Sequence, residues 1–544
     1  MRQPKPFPTK RWLRNKPYDK PTSYDEEFAR VGRQLQVPIH RYQRILDDLG
    51  IKDQHPLDLI SVLLGYLEDQ VSGIGLWRVF TKENQRLTGQ YLPLFDQEDY
   101  LPDEVNLGDV QFLVWHFFSQ ISGEEYFAPD VKWMRSMAQD LYEVLIEAYE
   151  VVPETDFYET FLSMPADPDL YWAKGRLEWL VRMSYLFQLE HGAWLGEQAG
   201  RILKQNPLIY QKAGINAVLY SIQDSYLYQK RSALGALSMP EWLHRMTRGT
   251  DGPKAAILDL SRYTRGVFRF EGTQGDRRHF TLVRSGQTFR LPVSNFHLDE
   301  TTKVGELLEF SVVPWCGQWY MSGLVATYTP KGEDDPWIKP NSAVPFSLLD
   351  APHQAIVHER LALLESVFLA RFGAHMVRFE ANEHPRQAVH DVYAQYQQAV
   401  LERFPDGPFT DLDQLNLDEL VDEADVIDEQ GRTYLVFLAG AGVEYYPEVP
   451  GLLDLLRADT PPDEEGVQTL YWSLIGGNLP EVLAEHVLAE APTHYLRMPA
   501  KTEVDWLNVR QWLRRYLAPE AFQPSTPNMT FLAEYLPAED FDSK

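Results

Sequence analysis

The feature that most constrains this chain is a change of hydrophobic period part-way along it. Between Tyr24 and about Arg248, apolar residues recur at helical spacing: Phe28, Val31, Leu35 and Ile39, then Leu57, Ile60, Leu63, Leu64 and Leu67. Gly249–Pro253 (GTDGP) breaks that pattern. Beyond it the period is two: in VFRFEG, Phe268 and Phe270 alternate with Arg269 and Glu271. One period lays an apolar stripe on a helix and the other an apolar face on a sheet, so a helical domain (25–248) followed by a β domain (254–330) is expected. HFTLVRSGQTFRLPV predicts a hairpin turning at Ser285-Gly286-Gln287, and LLEFSVVPWCGQWYMSG a second turning at Cys316-Gly317. Several short strands with such turns predict a small closed β-barrel.

Residues 331–346 read as a linker. The remainder, 347–544, mixes periods. Helices are expected over 347–372, 385–404, Val449–Arg457, Gly466–Leu474, Pro480–Leu488 and Val504–Leu517. Strands are expected at HMVRF (His375–Phe379) and at RTYLVFLAGAG. The fold class expected is therefore α+β multidomain: an N-terminal all-α domain, a central small β-barrel and a C-terminal α+β domain. Within the helical part, further helices are expected near Met134–Tyr149, Asp169–Leu189 and Gly214–Tyr228. Asn106 is the expected N-cap of NLGDVQFLVWHFF. Residues 1–24 carry seven basic side chains, Lys16 among them, and one acid, Asp19, interrupted by prolines. They read as a basic extended arm, solvated, docked on the chain's own acidic surface or bound to a partner.

Charge narrows the function. Lys and Arg total 51 and Asp and Glu 79, a net charge of −28, which argues against a polyanion binder acting through its whole surface. The one local reversal is the barrel, where Arg262, Arg265, Arg269, Arg277, Arg278, Arg284 and Arg290 face two acids, Glu271 and Asp276. Arginine fits phosphate, so these seven are the candidate binding residues, with a nucleic acid or a protein as the partner. Phe268 and Phe270 are expected to point inward as core. The acidic stretch 406–429 reads as a solvated face or a dock for a basic partner. The most apolar run, around Val110–Phe118, is too short for a membrane span. The basic N-terminus leads into no apolar segment, and the single cysteine, Cys316, allows no internal disulfide, so a cytoplasmic setting without membrane contact is expected.

No catalytic residue is assigned. LAGAG (Leu438–Gly442) follows a strand, but Tyr445 stands where a dinucleotide loop needs a third glycine. No phosphate-binding loop and no serine nucleophile elbow occurs. Glu241-x-x-His244 is half of a di-iron motif. Pro102-Asp103 with Asp130-Val131-Lys132 formally matches a nuclease pattern, but across an expected helix. No metal site and no cofactor is expected. The reading favours a cytosolic binding or adaptor protein. Its alternatives are a metal-assisted hydrolase or nuclease assembled from distant residues, with His116 or His191 as the histidine, and a subunit of an assembly.

WLRNKPYDKPTSYDEEF (Trp12–Phe28), SGIGLWRVF (Ser72–Phe80) and GQYLPLFDQEDYLPDEVNLGDVQFLVWHF (Gly89–Phe117) together resemble a bacterial domain-of-unknown-function family, DUF3843. GRTYLVFLAGAGVEYYPEVPGLL and DWLNVRQWLRRYLAPEAFQPSTPNMTFL are similar to its C-terminal half. The resemblance implies no activity and no catalytic residues. The barrel alone, at GELLEFSVVPWCGQWYMSG (Gly305–Gly323), resembles a module linked to SecA-C-terminus-like proteins, without their cysteine-rich zinc motif.

Overall fold

The computed structural model describes residues 7–51, 54–95, 99–121, 131–205, 215–249, 251–284, 286–295, 298, 301–330, 332, 351–403, 427–428, 430–440, 442–457, 466, 469–470, 473–474, 479–490 and 506–522. The chain divides into two compact units. The first comprises residues 1–263, 313–318 and 497–520, the second 264–312, 319–496 and 521–544. The linker over 331–346, apart from residue 332, and the acidic stretch, apart from Ile427 and Asp428, lie outside the described residues.

The first unit is helical. Its N-terminal arm is not an extended tail. α1 (Thr9–Trp12) and a 3-10 turn (Leu13–Asn15) fold onto α2 (Ser23–Arg41), and Trp12 stacks on Phe28 with ring centroids 5.2 Å apart. The aromatic residues decide this: Phe7 and Trp12 have more to gain from burial than the intervening cations lose, because Arg11 pairs with Asp58 and Lys16 with Glu68. α2 begins where Asp25 Oδ2 accepts from the Thr22 backbone N–H (2.8 Å) and hydroxyl (2.9 Å), and it buries Phe28, Val31, Leu35 and Ile39, the predicted stripe. α3 (Gln43–Asp48) leads to α4 (His55–Ser72), which is buried on nearly every side from Leu59 to Asp69. α5 (Leu76–Thr88) follows at an 87° bend. No single described helix is long and apolar enough to cross a membrane.

α6 (Leu107–Ile121), α7 (Lys132–Tyr149) and α8 (Phe157–Leu162) come next. Asn106 stands at the expected N-cap position, its carbonyl accepting from the Val110 N–H (3.3 Å), but its side chain bonds the backbone of Leu101 and Glu104 and so fastens the preceding loop. The single helix expected over Asp169–Leu189 is two, α9 (Leu170–Arg182) and α10 (Gln188–Gln205). The break carries Tyr185 onto α4, where its ring lies over Gly65: a Cβ on Gly65 would stand 2.5 Å from the Tyr185 Cβ. α11 (Ile215–Tyr228), α12 (Met239–Met246) and α13 (Asp251–Asp259) close the helical run. GTDGP therefore does not end the helical pattern. Pro253 falls in the first turn of α13, where its missing N–H costs nothing, and the first strand starts only at Thr264.

The second unit contains most of a five-stranded antiparallel sheet in the order β3-β2-β1-β4-β5, from β1 (Thr264–Gln274), β2 (Arg277–Leu282), β3 (Thr288–Pro292), β4 (Leu307–Trp315) and β5 (Gln318–Thr327). β4 and β5 turn through Cys316 (φ 48°) and Gly317 (φ 76°), both left-handed, at the predicted position. The small β module is present, but among the described residues it is not a closed barrel, since no ladder joins β3 to β5. A side chain spans that gap instead. The Asn295 amide accepts from the Met321 N–H and donates to its carbonyl (3.2 Å), and Phe289 meets Trp319 at 5.1 Å.

Phe268, Phe270, Phe280, Phe289 and Phe310 form the inner face of this sheet, together with Val357 and Leu361 from α14 (Ala351–Phe372). The next turns of α14 place Leu364 and Phe368 in a second core. That core includes residues of α15 (Pro385–Arg403) and of the antiparallel sheet β6-β7-β8: β6 (Met376–Phe379), β7 (Thr433–Leu438) and β8 (Gly442–Tyr446). LAGAG is thus the turn of a hairpin, and no helix opens from it as a dinucleotide loop requires. α16 (Glu448–Arg457) and α17 (Glu481–Glu490) follow. The last helix, α18 (Trp506–Leu517), was expected in the C-terminal domain, yet its side chains pack in the first unit: Trp512 Nε1 donates to Asn84 Oδ1 (2.9 Å) and Trp512 lies 6.1 Å from Trp115.

Candidate functional site

The structure does not gather the seven candidate arginines on one surface. Arg262 lies in a 3-10 turn of the first unit. Arg284 follows β2, exposed. Arg278 is opposite Leu291, which is buried in the core, so alternation assigns Arg278 to the inner face at the sheet's end. The other four share the outer face: Arg265 and Arg269 on β1, Arg277 on β2, and Arg290 on β3 opposite His279. Acids meet three of these. Arg265 pairs with Glu309 (2.6 Å), Arg269 with Glu271 (2.8 Å), and Arg277 lies 3.7 Å from Asp276. Phe268, Phe270, Phe280 and Phe289 all point into the core, so none is available to stack on a base.

The other sequence candidates take structural positions. His116 Nδ1 lies 2.7 Å from the Tyr516 hydroxyl in the core, and burial pushes its pKa down to about 4. His191 packs against Tyr226 and is also pushed down to about 4, by burial first and Arg182 second. Both rings are neutral at pH 7. Glu241 closes a capping box with Ser238, and His244 Nδ1 contacts the Lys254 carbonyl (3.1 Å), so the half-motif serves a helix end. Cys316 is exposed at its turn; burial of its sulfur and the nearby Asp167 and Asp259 push the thiol pKa up, away from thiolate. Asp130 lies outside the described residues. Among the described residues, no group of three or more His, Cys, Asp or Glu could hold a metal ion.

A different cluster, which the sequence did not mark, gathers buried carboxyls. Asp69 is fully buried near the end of α4. Its oxygens accept from the backbone N–H groups of Gly75 (2.6 Å) and Trp77 (2.7 Å) and from the Tyr185 hydroxyl (2.9 Å). It thereby holds the start of α5. Burial still pushes its pKa up to about 6. Asp109, in the first turn of α6, accepts from Tyr66 (2.5 Å) and Asn106 (3.3 Å) on Oδ2. Burial pushes Asp109 up to about 7; Tyr66, Asn106, Tyr100 and Trp77 pull the other way. Trp77, 2% exposed, joins this network through its indole N–H. Trp77 is a wall of a surface pocket shared with Arg78, Thr81 and Lys82 of α5, Tyr91 and Asp103. No isolated spacing could have revealed this cluster, because Asp69, Trp77, Asp109 and Tyr185 meet only through the packing of α4, α5, α6 and the α9–α10 break.

The order of these helices and aromatics can be compared with known families. Residues 5–267 match the family model DUF3843, described as a protein of unknown function. The DUF3843 region thus contains the docked arm, α1 to α13, the buried aspartates and the pocket. No curated protein and no solved structure matches the chain. The match ends within β1 and lends no support to the resemblance between the sheet and the SecA-linked module; the stretches read as similar in the C-terminal half also lie beyond it.

Proposed function

We propose that the protein is a cytosolic binding protein that holds a single-stranded nucleic acid against the outer face of its five-stranded sheet. The observation that carries this reading is the placement of Arg265, Arg269, Arg277 and Arg290 on that face, next to His279, in a chain whose net charge is −28. The acidic partners weaken the face without closing it. Exposed ion pairs are worth about 0–1 kcal/mol each, so a phosphate can take the place of a carboxylate on arginine. Because the phenylalanines are committed to the core, the nucleic acid is held by its phosphate backbone. Binding is therefore indifferent to base sequence and strongly salt-dependent.

Gel retention of a labelled single-stranded oligonucleotide over a salt series tests this. Changing Arg269, Arg277 and Arg290 together to Glu should weaken retention at least about tenfold and lower the salt slope by roughly 0.7 for each phosphate that arginine no longer neutralises. Changing Arg278, on the inner side, should leave retention nearly intact. Retention unaffected by the triple change rules the reading out.

A further inference from the structure

The pocket of the DUF3843 region is a second place where a ligand fits, independent of the sheet. We propose that the pocket formed by Trp77, Arg78, Lys82, Tyr91 and Asp103 binds a small zwitterion, an α-amino acid or a close analogue.

Arg78 and Lys82 are four residues apart on α5, so they project from successive turns of one exposed face. Asp103 contributes the opposite charge from the facing loop. A simple anion meets two cations there but also a carboxylate; a simple cation meets the reverse. A ligand carrying both charges satisfies both sides. Tyr91, half-buried, adds a ring that attracts an ammonium group. The Tyr91 ring is itself fixed by stacking on Tyr100 at 4.8 Å.

The loop that carries Asp103 is held in one conformation. Asp99 (φ 62°) and Asp103 (φ 66°) hold left-handed backbone, which non-glycine residues rarely adopt, and they bracket Tyr100, Leu101 and Pro102. The Asn106 side chain holds this loop in place through Leu101 and Glu104. Behind the wall, Trp77 belongs to the polar network that holds the buried Asp109 together with Tyr66, Asn106 and Tyr100, so the residue that lines the pocket is itself fixed.

Saturation-transfer NMR on the full chain at neutral pH tests the assignment, with L-alanine, propionate and ethylammonium as probes. Propionate lacks the amine and ethylammonium the carboxylate. L-alanine should show saturable transfer, with each half-ligand at least about tenfold weaker. Arg78→Gln with Lys82→Gln, and separately Asp103→Asn, should each weaken L-alanine by a similar factor. All three positions are exposed, and asparagine tolerates left-handed backbone, so the fold should survive. Propionate binding as tightly as L-alanine would overturn the proposal in favour of a plain anion site. No transfer to any probe, or transfer unchanged in the charge variants, would overturn it outright.

Discussion

Lys16 Nζ lies 3.8 Å from the centroid of the Trp12 ring and within 5.8 Å of those of Tyr24, Phe28 and Tyr158, and it pairs with Glu68. Its side chain is fully buried. Burial lowers its pKa, and Glu68 opposes that shift. Glu68 also accepts from the hydroxyls of Tyr24 (2.9 Å) and Tyr158 (3.3 Å), so the pair is well enclosed. Removing one partner of such a pair strands the other charge, which costs about 3–5 kcal/mol. Lys16→Met should therefore lower the urea midpoint sharply, and adding Glu68→Gln should recover part of the loss. A loss near zero for Lys16→Met would contradict the docked arm.

Asp109 makes a prediction of opposite character. In the unfolded chain its proton is released near pH 4, but in the folded chain near pH 7. The folded state binds the extra proton between those values. The contribution of Asp109 to stability is thus greatest below pH 4 and is lost as pH rises to 7. Glu190, also pushed up to about 7 by burial, and Asp69, pushed up to about 6, act in the same direction; His116 and His191, both pushed down, act against them. Asp109→Asn, which stays neutral, should remove up to about 1.4 kcal/mol per pH unit of that decline between roughly pH 5 and 7. Denaturant unfolding across this range checks it, and identical slopes for the two proteins would contradict it.

Among the elements, α18 shows how far packing departs from chain order. Its Trp512 lies among Phe112, Trp115 and Tyr516 and bonds Asn84, while Tyr516 reaches His116. Glu520 adds an ion pair to Lys230 (2.6 Å). Trp512 is 1% exposed. Trp512→Ala should cost about 3–5 kcal/mol, the usual loss for a buried large aromatic, and should destabilise the helical unit although the change lies far along the chain from α6. Hydrogen exchange resolved by segment checks this: protection should fall in α5 and α6. Unchanged protection there would mean that α18 adds nothing to the unit. The five-stranded sheet teaches a related lesson. Alternation identified its inward phenylalanines, and the glycine turn after Cys316 gave a hairpin, but the ends of the sheet approach through Asn295 rather than through a ladder.

At the scale of the molecule, local chemistry settled what could be settled locally. The helical and alternating periods, the inward rings of the sheet, the hairpin at Cys316-Gly317 and the helix at Pro385–Arg403 follow from side-chain spacing and backbone preference, which act over a few residues and are written in the sequence. Long-range packing decided the rest. No glycine or proline separates α9 from α10; that break carries Tyr185 to Gly65 and Asp69, two positions more than a hundred residues earlier. The arm reads as basic, with solvation, docking on the chain's own acids and a partner all open, until Trp12 finds Phe28 and Lys16 finds Glu68. The seven arginines are near one another in the chain, but strand pleat and register turn them to different faces and toward different acids. The buried carboxyls arise the same way. Their pKa values are set by loss of water, and which groups lose water is decided only when distant elements close around them.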